Sequence, residues 1–170
     1  SYIGSIKKTT AEMWVATELD SIIKKNIEYN PGLLKIFDEI LVNAIDHSVR
    51  DQKVTFIKVT IKDSTISVKN DGQGIPIVLH KEYGIHVPEL IFGNLLSGSN
   101  YDDTAERVVG GVNGIGSKAA NIYSKNFKIK TVYNGDSYTQ EFSNNMFDKT
   151  KPVIKKTDNF FNILSLLYCY

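Results

Sequence analysis

Apolar residues recur with two different periods along the chain, and the switch between the periods outlines its elements. Leu33, Phe37, Ile40, Leu41 and Ala44 repeat at helical spacing, and Asn30-Pro31 ahead of them supplies an N-cap followed by proline at the first helical position. A helix is predicted over residues 33–45. Residues 54–61 and 65–69 are rich in β-formers and meet at Asp63-Ser64, which predicts two strands joined by a tight turn. A second hairpin is predicted from residues 127–133 and 137–142 around Asn134-Gly135, the preferred pair for a type I′ turn. Residues 87–96 predict a short helix begun at Pro88, and the polar, glycine-containing residues 97–107 predict a loop or lid. Elements alternate without an internal repeat, as in an α/β domain.

Composition narrows the class. The 170 residues are 42% hydrophobic with a formal net charge of +1, ordinary for one globular core and unlike a polybasic nucleic-acid binder. Cys169 is the only cysteine, so neither a disulfide framework nor a cysteine metal cluster is available, and a reducing compartment is expected. No apolar run is long enough to span a bilayer, so no membrane partner is expected, and Ser1-Tyr2 does not open a signal peptide. The missing initiator methionine is read as the mark of a fragment.

The candidate chemistry begins at Gly110-Gly111-Val112-Asn113-Gly114-Ile115-Gly116-Ser117-Lys118. Glycines let a ligand approach the backbone closely, and the following Ala119, Ala120 and Ile122 can begin a helix whose N-terminal dipole favours an anion. The stretch reads as a phosphate cradle. It is not a Walker A loop, because Ser117 precedes Lys118 where that motif needs lysine before the hydroxyl. It also fits the dinucleotide fingerprint poorly, since polar residues rather than a buried strand lead into it.

Two more signals precede it. Glu39, Asn43, Asp46 and Arg50 form one polar stripe on the helix after Pro31. A carboxylate and an amide one turn apart can orient water and offer an oxygen to a hard cation, although a solvated face gives the same stripe. The turn Asn70-Asp71-Gly72-Gln73-Gly74-Ile75-Pro76 then follows directly on a predicted strand.

In this order, an acidic-amide helix, a strand with Asp-Gly-x-Gly and a glycine-rich loop with lysine resemble the GHKL ATPases. Phe37-Asp38-Glu39-Ile40-Leu41-Val42-Asn43-Ala44, Asn70 to Pro76, Ile91-Phe92-Gly93-Asn94-Leu95-Leu96 with Ser99-Asn100-Tyr101-Asp102-Asp103, and Gly110 to Gly116 resemble the ATPase domain of eukaryotic and viral type II DNA topoisomerases. Tyr2-Ile3-Gly4-Ser5 and Met13-Trp14-Val15 resemble its N-terminal segment. The resemblance covers residues 2 to about 142.

That resemblance implies a two-layer α/β sandwich of the GHKL type, a mixed, mainly antiparallel sheet with helices on one face. Residues 1–148 would form the ATP-binding domain, with 149–170 an unassigned tail or a truncated remainder of it. The implied cofactors are ATP and Mg2+. Glu39 matches the general base, Asn43 the magnesium ligand and Asn70 the contact to the adenine amino group, with Asp46 and Arg50 supporting the site. Gly74 and Ile75 would border the nucleotide, Ser99 and Asn100 would reach it from the lid, and Gly111, Val112, Asn113, Gly114, Ile115, Gly116, Ser117 and Lys118 would wrap the triphosphate. The parent enzyme would act as a homodimer on DNA, in the nucleus or, if viral, in host cytoplasm or virion. This portion would contact DNA little.

The chain departs from the family at three places. Val112 stands where arginine is common, Gly98 replaces a hydroxyl residue, and His47 replaces asparagine. His47 is expected to be a satisfied or solvent-facing histidine, and His80 and His86 to be loop residues. The family's lysine that reaches the terminal phosphate comes from a following transducer domain, so slow or no turnover is expected from this portion alone. A chaperone or repair ATPase of the same superfamily, or a non-catalytic remnant of the fold, are the alternatives. The apolar run 160–170, broken by Asn162 and Ser165, is compatible with a strand for a missing domain, an oligomer contact or a read-through product.

Overall fold

The structure is a computed structural model that describes residues 4–18, 20–95 and 115–167. The predicted lid 97–107 lies outside the described residues. The Asn30 cap forms as expected: the Leu33 N–H donates to Asn30 Oδ1 at 3.0 Å, and α1 runs from Pro31 to Arg50. Such a cap stabilises a helix by about 1 kcal/mol. The helix outruns its predicted end, and His47 and Arg50 in the last turn suit the negative end of the helix dipole.

Both predicted hairpins are present. β3 (Ile57–Lys62) and β4 (Thr65–Asn70) pair through Asp63 and Ser64, whose φ values of 49° and 61° are the left-handed pair a type I′ turn requires. β5 (Asn126–Tyr133) and β6 (Asp136–Ser143) pair through Asn134 and Gly135 at φ 49° and 78°. Between the hairpins, α2 spans Val87–Gly93 and α3 spans Ile115–Ile122. The last glycine-loop residues are therefore already helical, and Lys118 lies in the first turn.

β7 (Asp148–Lys149), β8 (Val153–Lys156) and β9 (Asn162–Leu167) complete a seven-stranded sheet in which β9 sits between β4 and β5 and β8 pairs with β6. Every pairing among the described strands is antiparallel. The tail that carried no motif thus supplies a central strand. A separate hairpin, β1 (Thr9–Ala16) with β2 (Ile22–Tyr29), was not predicted. Neither strand has a buried face, and Trp14 is 70% exposed, so its hydrophobic alternation is weak.

The core lies between the sheet and the helices. Ile36, Ile40 and Ala44 of α1, Ile91 and Phe92 of α2 and Ala120 of α3 close on Val68, Phe127, Ile129, Tyr138 and Phe142. Phe127 meets Phe92 and Phe142 at centroid distances of 6.0 and 6.4 Å, the tilted spacing aromatic rings prefer. Asn121 ties α3 to α2 by donating to the Phe92 carbonyl at 2.8 Å. Buried Glu89 accepts from Lys149 at 2.6 Å and Gln140 at 3.0 Å, so its carboxylate is satisfied and fastens α2 to the sheet.

Candidate functional site

On α1, Asn43 donates its amide nitrogen to the Glu39 carbonyl at 2.6 Å, which fixes the amide and leaves Oδ1 directed away from that bond. Glu39 is partly buried and accepts from Lys35 at 2.7 Å through Oε1. Its other oxygen lies against Gly116, where any Cβ would collide with the carboxylate. That contact explains the glycine at position 116, and it joins the α1 stripe to the first turn of α3.

The turn after β4 is pressed onto the sheet. The Gly74 N–H donates to the Val132 carbonyl at 3.0 Å and the Ile75 N–H to Thr131 Oγ1 at 2.8 Å. A side chain at Gly74 would strike Thr131, Val132 and Asn162. Asp71 turns the other way, accepting from the Thr55 and Phe56 N–H groups at 2.9 and 3.2 Å and from the Thr55 hydroxyl. These bonds, the hydroxyl first, hold its pKa below the usual carboxylate value. Asp71 shapes the turn, and Asn70 faces the cavity.

Asn162 of β9 stands directly opposite Asn70 and makes four hydrogen bonds. Its amide nitrogen donates to Asn70 Oδ1 at 3.1 Å and the Gly72 carbonyl at 2.7 Å, while its oxygen accepts from the Val132 N–H and Thr131 Oγ1, each at 2.9 Å. One amide therefore sets both the orientation of Asn70 and the path of the turn.

These elements enclose a cavity of about 340 Å³. Val68, Ile75, Ile91, Phe92 and Ile129 give it an apolar floor, while Asn43, Arg50, Asn70, Ser117, Thr131 and Asn162 supply polar groups. An apolar slot with few convergent polar groups suits a flat heteroaromatic ring carrying a charged tail. Of the sequence candidates, Asn43, Arg50, Asn70, Gly74, Ile75 and Ser117 line it together. Glu39 and Gly116 meet one turn away. Asp46 is exposed on α1 and is not part of the wall, and Ile115 begins α3. Lys118 is buried, and desolvation lowers its pKa. Ser99, Asn100, Gly111, Val112, Asn113 and Gly114 lie outside the described residues.

Sequence reasoning missed Thr131 and Asn162, although Asn162 was visible as an amide interrupting an apolar run. His47, expected to be satisfied or solvent-facing, is only partly exposed and is not fully satisfied. That ring lines the cavity, and its buried Nε2 has no hydrogen-bond partner among the described residues, with Asp51 Oδ2 at 3.9 Å. The ring as a whole is 29% exposed, but Nε2 is covered and lies where a side chain at Gly72 would strike it.

Burial holds the His47 pKa below its ordinary 6.5, with Asp51 opposing the shift. A histidine that resists protonation when folded leaves stability intact above the unfolded pKa and costs stability as pH falls below it. Asp51, whose pKa is lowered by N–H bonds from Gln73 and Lys53, acts only in the carboxylate range, below 3.8. Thermal melts should therefore show Tm falling between about pH 7 and 5, and His47→Gln should flatten that fall. An unchanged slope in His47→Gln would refute the assignment.

Comparison with known proteins follows the same outline. A family model described as histidine kinase-, DNA gyrase B- and HSP90-like ATPase matches residues 28–147. The DNA topoisomerase 2 of Meyerozyma guilliermondii is 53% identical over 163 residues, covering 92% of this chain and 12% of the relative. That of Acanthamoeba polyphaga mimivirus is 51% identical, covering 91% and 13%. The solved ATPase region of Saccharomyces cerevisiae topoisomerase II superposes with a TM-score of 0.88 at 43% identity, over 98% of this chain and 46% of that one. The expected sandwich fold is borne out, and the chain spans only a small part of its full-length relatives.

Proposed function

Because the chain belongs to the histidine kinase-, DNA gyrase B- and HSP90-like ATPase family, we propose that it binds and hydrolyses ATP with magnesium as the nucleotide-binding portion of a type II DNA topoisomerase. The observation that carries this reading is the convergence of Asn43, Asn70 and Ser117 on one apolar cavity. Adenine lies on the Val68, Ile91 and Ile129 floor and is met by Asn70, whose amide Asn162 holds in place. The triphosphate runs toward α3, where the first-turn N–H groups, Ser117 and Lys118 face negative charge. Arg50 borders the same space.

The donor set fits magnesium carried in with phosphate. Asn43 offers one hard oxygen, and among the described residues no group of three or more His, Cys, Asp or Glu is placed to hold a metal alone. Bound there, the ion would neutralise charge developing on the phosphates. Glu39, braced by Lys35 and pressed on Gly116, orients a water and takes its proton. Ser99, Asn100 and the backbone from Gly111 to Gly114 complete the wrap around the phosphates in this reading.

Residues 149–170 belong to the same domain on this view, since β9 lies between β4 and β5 and Asn162 holds Asn70. In the parent enzyme, nucleotide-driven dimerisation would close a gate on DNA, in the nucleus or, for a viral source, in host cytoplasm or virion. Calorimetric titration of the chain with a non-hydrolysable ATP analogue and magnesium should give saturable binding that Asn70→Ala weakens about tenfold or more, the loss of a buried polar contact worth 1–3 kcal/mol. Absence of saturable binding, or an Asn70→Ala variant that binds as tightly, would defeat the assignment.

A further inference from the structure

Asn70 borders the nucleotide cavity with an amide, and a free amide is an ambiguous reader of a purine. Its oxygen accepts from a 6-amino group, and after a half-turn its NH2 donates to a 6-oxo group in the same place. Asn70 is not free to make that turn. The order of donor and acceptor in its amide follows from backbone groups that have no choice of role.

The Val132 N–H can only donate, and it lies 2.9 Å from Asn162 Oδ1. The Gly72 carbonyl can only accept, and it lies 2.7 Å from Asn162 Nδ2. Between them they settle the orientation of the Asn162 amide without reference to Asn70. The other Asn162 hydrogen is then given to Asn70 at 3.1 Å, so Asn70 must present its oxygen there. Turned over, Asn70 would set NH2 against NH2. Thr131 reinforces the arrangement, since its hydroxyl accepts from the Ile75 N–H at 2.8 Å and gives its own proton to Asn162 Oδ1 at 2.9 Å. Both hydrogens and both lone pairs of the Asn162 amide are thereby used. It has nothing left for a ligand. Asn70, by contrast, keeps one oxygen lone pair unspent, and among the described residues its Nδ2 makes no hydrogen bond.

We propose that Asn162 is a base-specificity residue of the nucleotide site, which admits a 6-aminopurine and rejects a 6-oxopurine because Asn162 fixes the donor and acceptor order of the Asn70 amide. It acts through Asn70 and is a positioning residue. The inference rests on the ATP reading above, which supplies the direction of the preference. A 6-oxo group placed where the amino group sits brings oxygen against the Asn70 oxygen, and the half-turn that would relieve the clash breaks the bond from Asn162.

Displacement of the non-hydrolysable ATP analogue by ATP and by ITP, measured on the full chain with magnesium, tests this. ITP differs from ATP at the 6-position and in the proton that N1 then carries. ATP should bind about tenfold or more tightly than ITP, because a site built to hydrogen-bond one group rejects the analogue that leaves it unpaired. Asn162→Asp keeps acceptors for the Val132 N–H and the Thr131 hydroxyl but has no hydrogen for Asn70, which then turns its NH2 toward the carboxylate. The ratio of ATP to ITP affinity should fall about tenfold or more in this variant. Asn70→Asp should raise the ratio or leave it unchanged, since its carboxylate still accepts from Asn162 and from a 6-amino group, and no rotation gives it a donor for a 6-oxo group. A merely structural role for Asn162 weakens both nucleotides alike. An unchanged ratio in a folded Asn162→Asp would therefore overturn the proposal, as would a ratio in Asn70→Asp that collapsed to unity. Should Asn162→Asp not fold, the wild-type ratio and Asn70→Asp decide. A wild-type chain that bound both nucleotides equally would overturn this inference alone and leave the ATP reading standing; one that bound neither would lose that reading and this inference with it.

Discussion

Glu39→Gln should lower single-turnover ADP formation by about 10²- to 10⁴-fold, the usual contribution of a positioned general base, while leaving affinity for the ATP analogue within about twofold. The amide keeps the size of the carboxylate and its seat against Gly116, but it cannot accept a proton from water. Asn43 provides the comparison. Its loss should weaken magnesium-dependent binding of the nucleotide, because the proposed reading assigns it an oxygen for the cation and no basic role. Quenched-flow product analysis of the two variants separates these effects. A Glu39→Gln variant that turns over at the wild-type rate would remove Glu39 from the chemistry.

The second large effect is expected at Asn162. Asn162→Leu leaves the Val132 N–H, the Thr131 hydroxyl, the Gly72 carbonyl and Asn70 Oδ1 without a shared partner. Each orphaned buried group costs about 1–3 kcal/mol, and with partial rescue by water the sum is roughly 3–5 kcal/mol. For a chain of this size that corresponds to a fall in Tm of roughly 10 °C or more. Nucleotide affinity should drop with it, since the Asn70 amide is then free to turn. Scanning calorimetry together with titration of the ATP analogue measures both. If Tm and affinity both stayed at wild-type values, the amide would have no role in holding the turn.

Much of the site was legible before the fold was known, for local reasons. Glu39 and Asn43 share a helix face through the α-helical period, so their proximity needs only α1 to form. Asn70 and Gly74 lie within one turn. What was not legible depends on contacts between distant segments. Thr131 and Asn162 are far from Asn70 in the chain and reach it only because β9 inserts between β4 and β5. His47 reads from its helix as a polar residue near the C-terminus of α1, and the burial of its Nε2 beside Gly72 follows only from the turn after β4 folding back onto α1.

By itself the sequence determined the helix cap, both hairpins, the type I′ turn at Asn134-Gly135, the order of the four motif blocks and the candidate side chains for the proposed chemistry. Each of these follows from dihedral preferences and short-range periodicity, which act over a few residues. Only the tertiary structure decided that the C-terminal run is a central strand, that Asn162 fixes Asn70, and that Gly116 seats Glu39. Those outcomes depend on strand order and register, which pair residues remote in the chain, and no local preference encodes which partner a strand will meet.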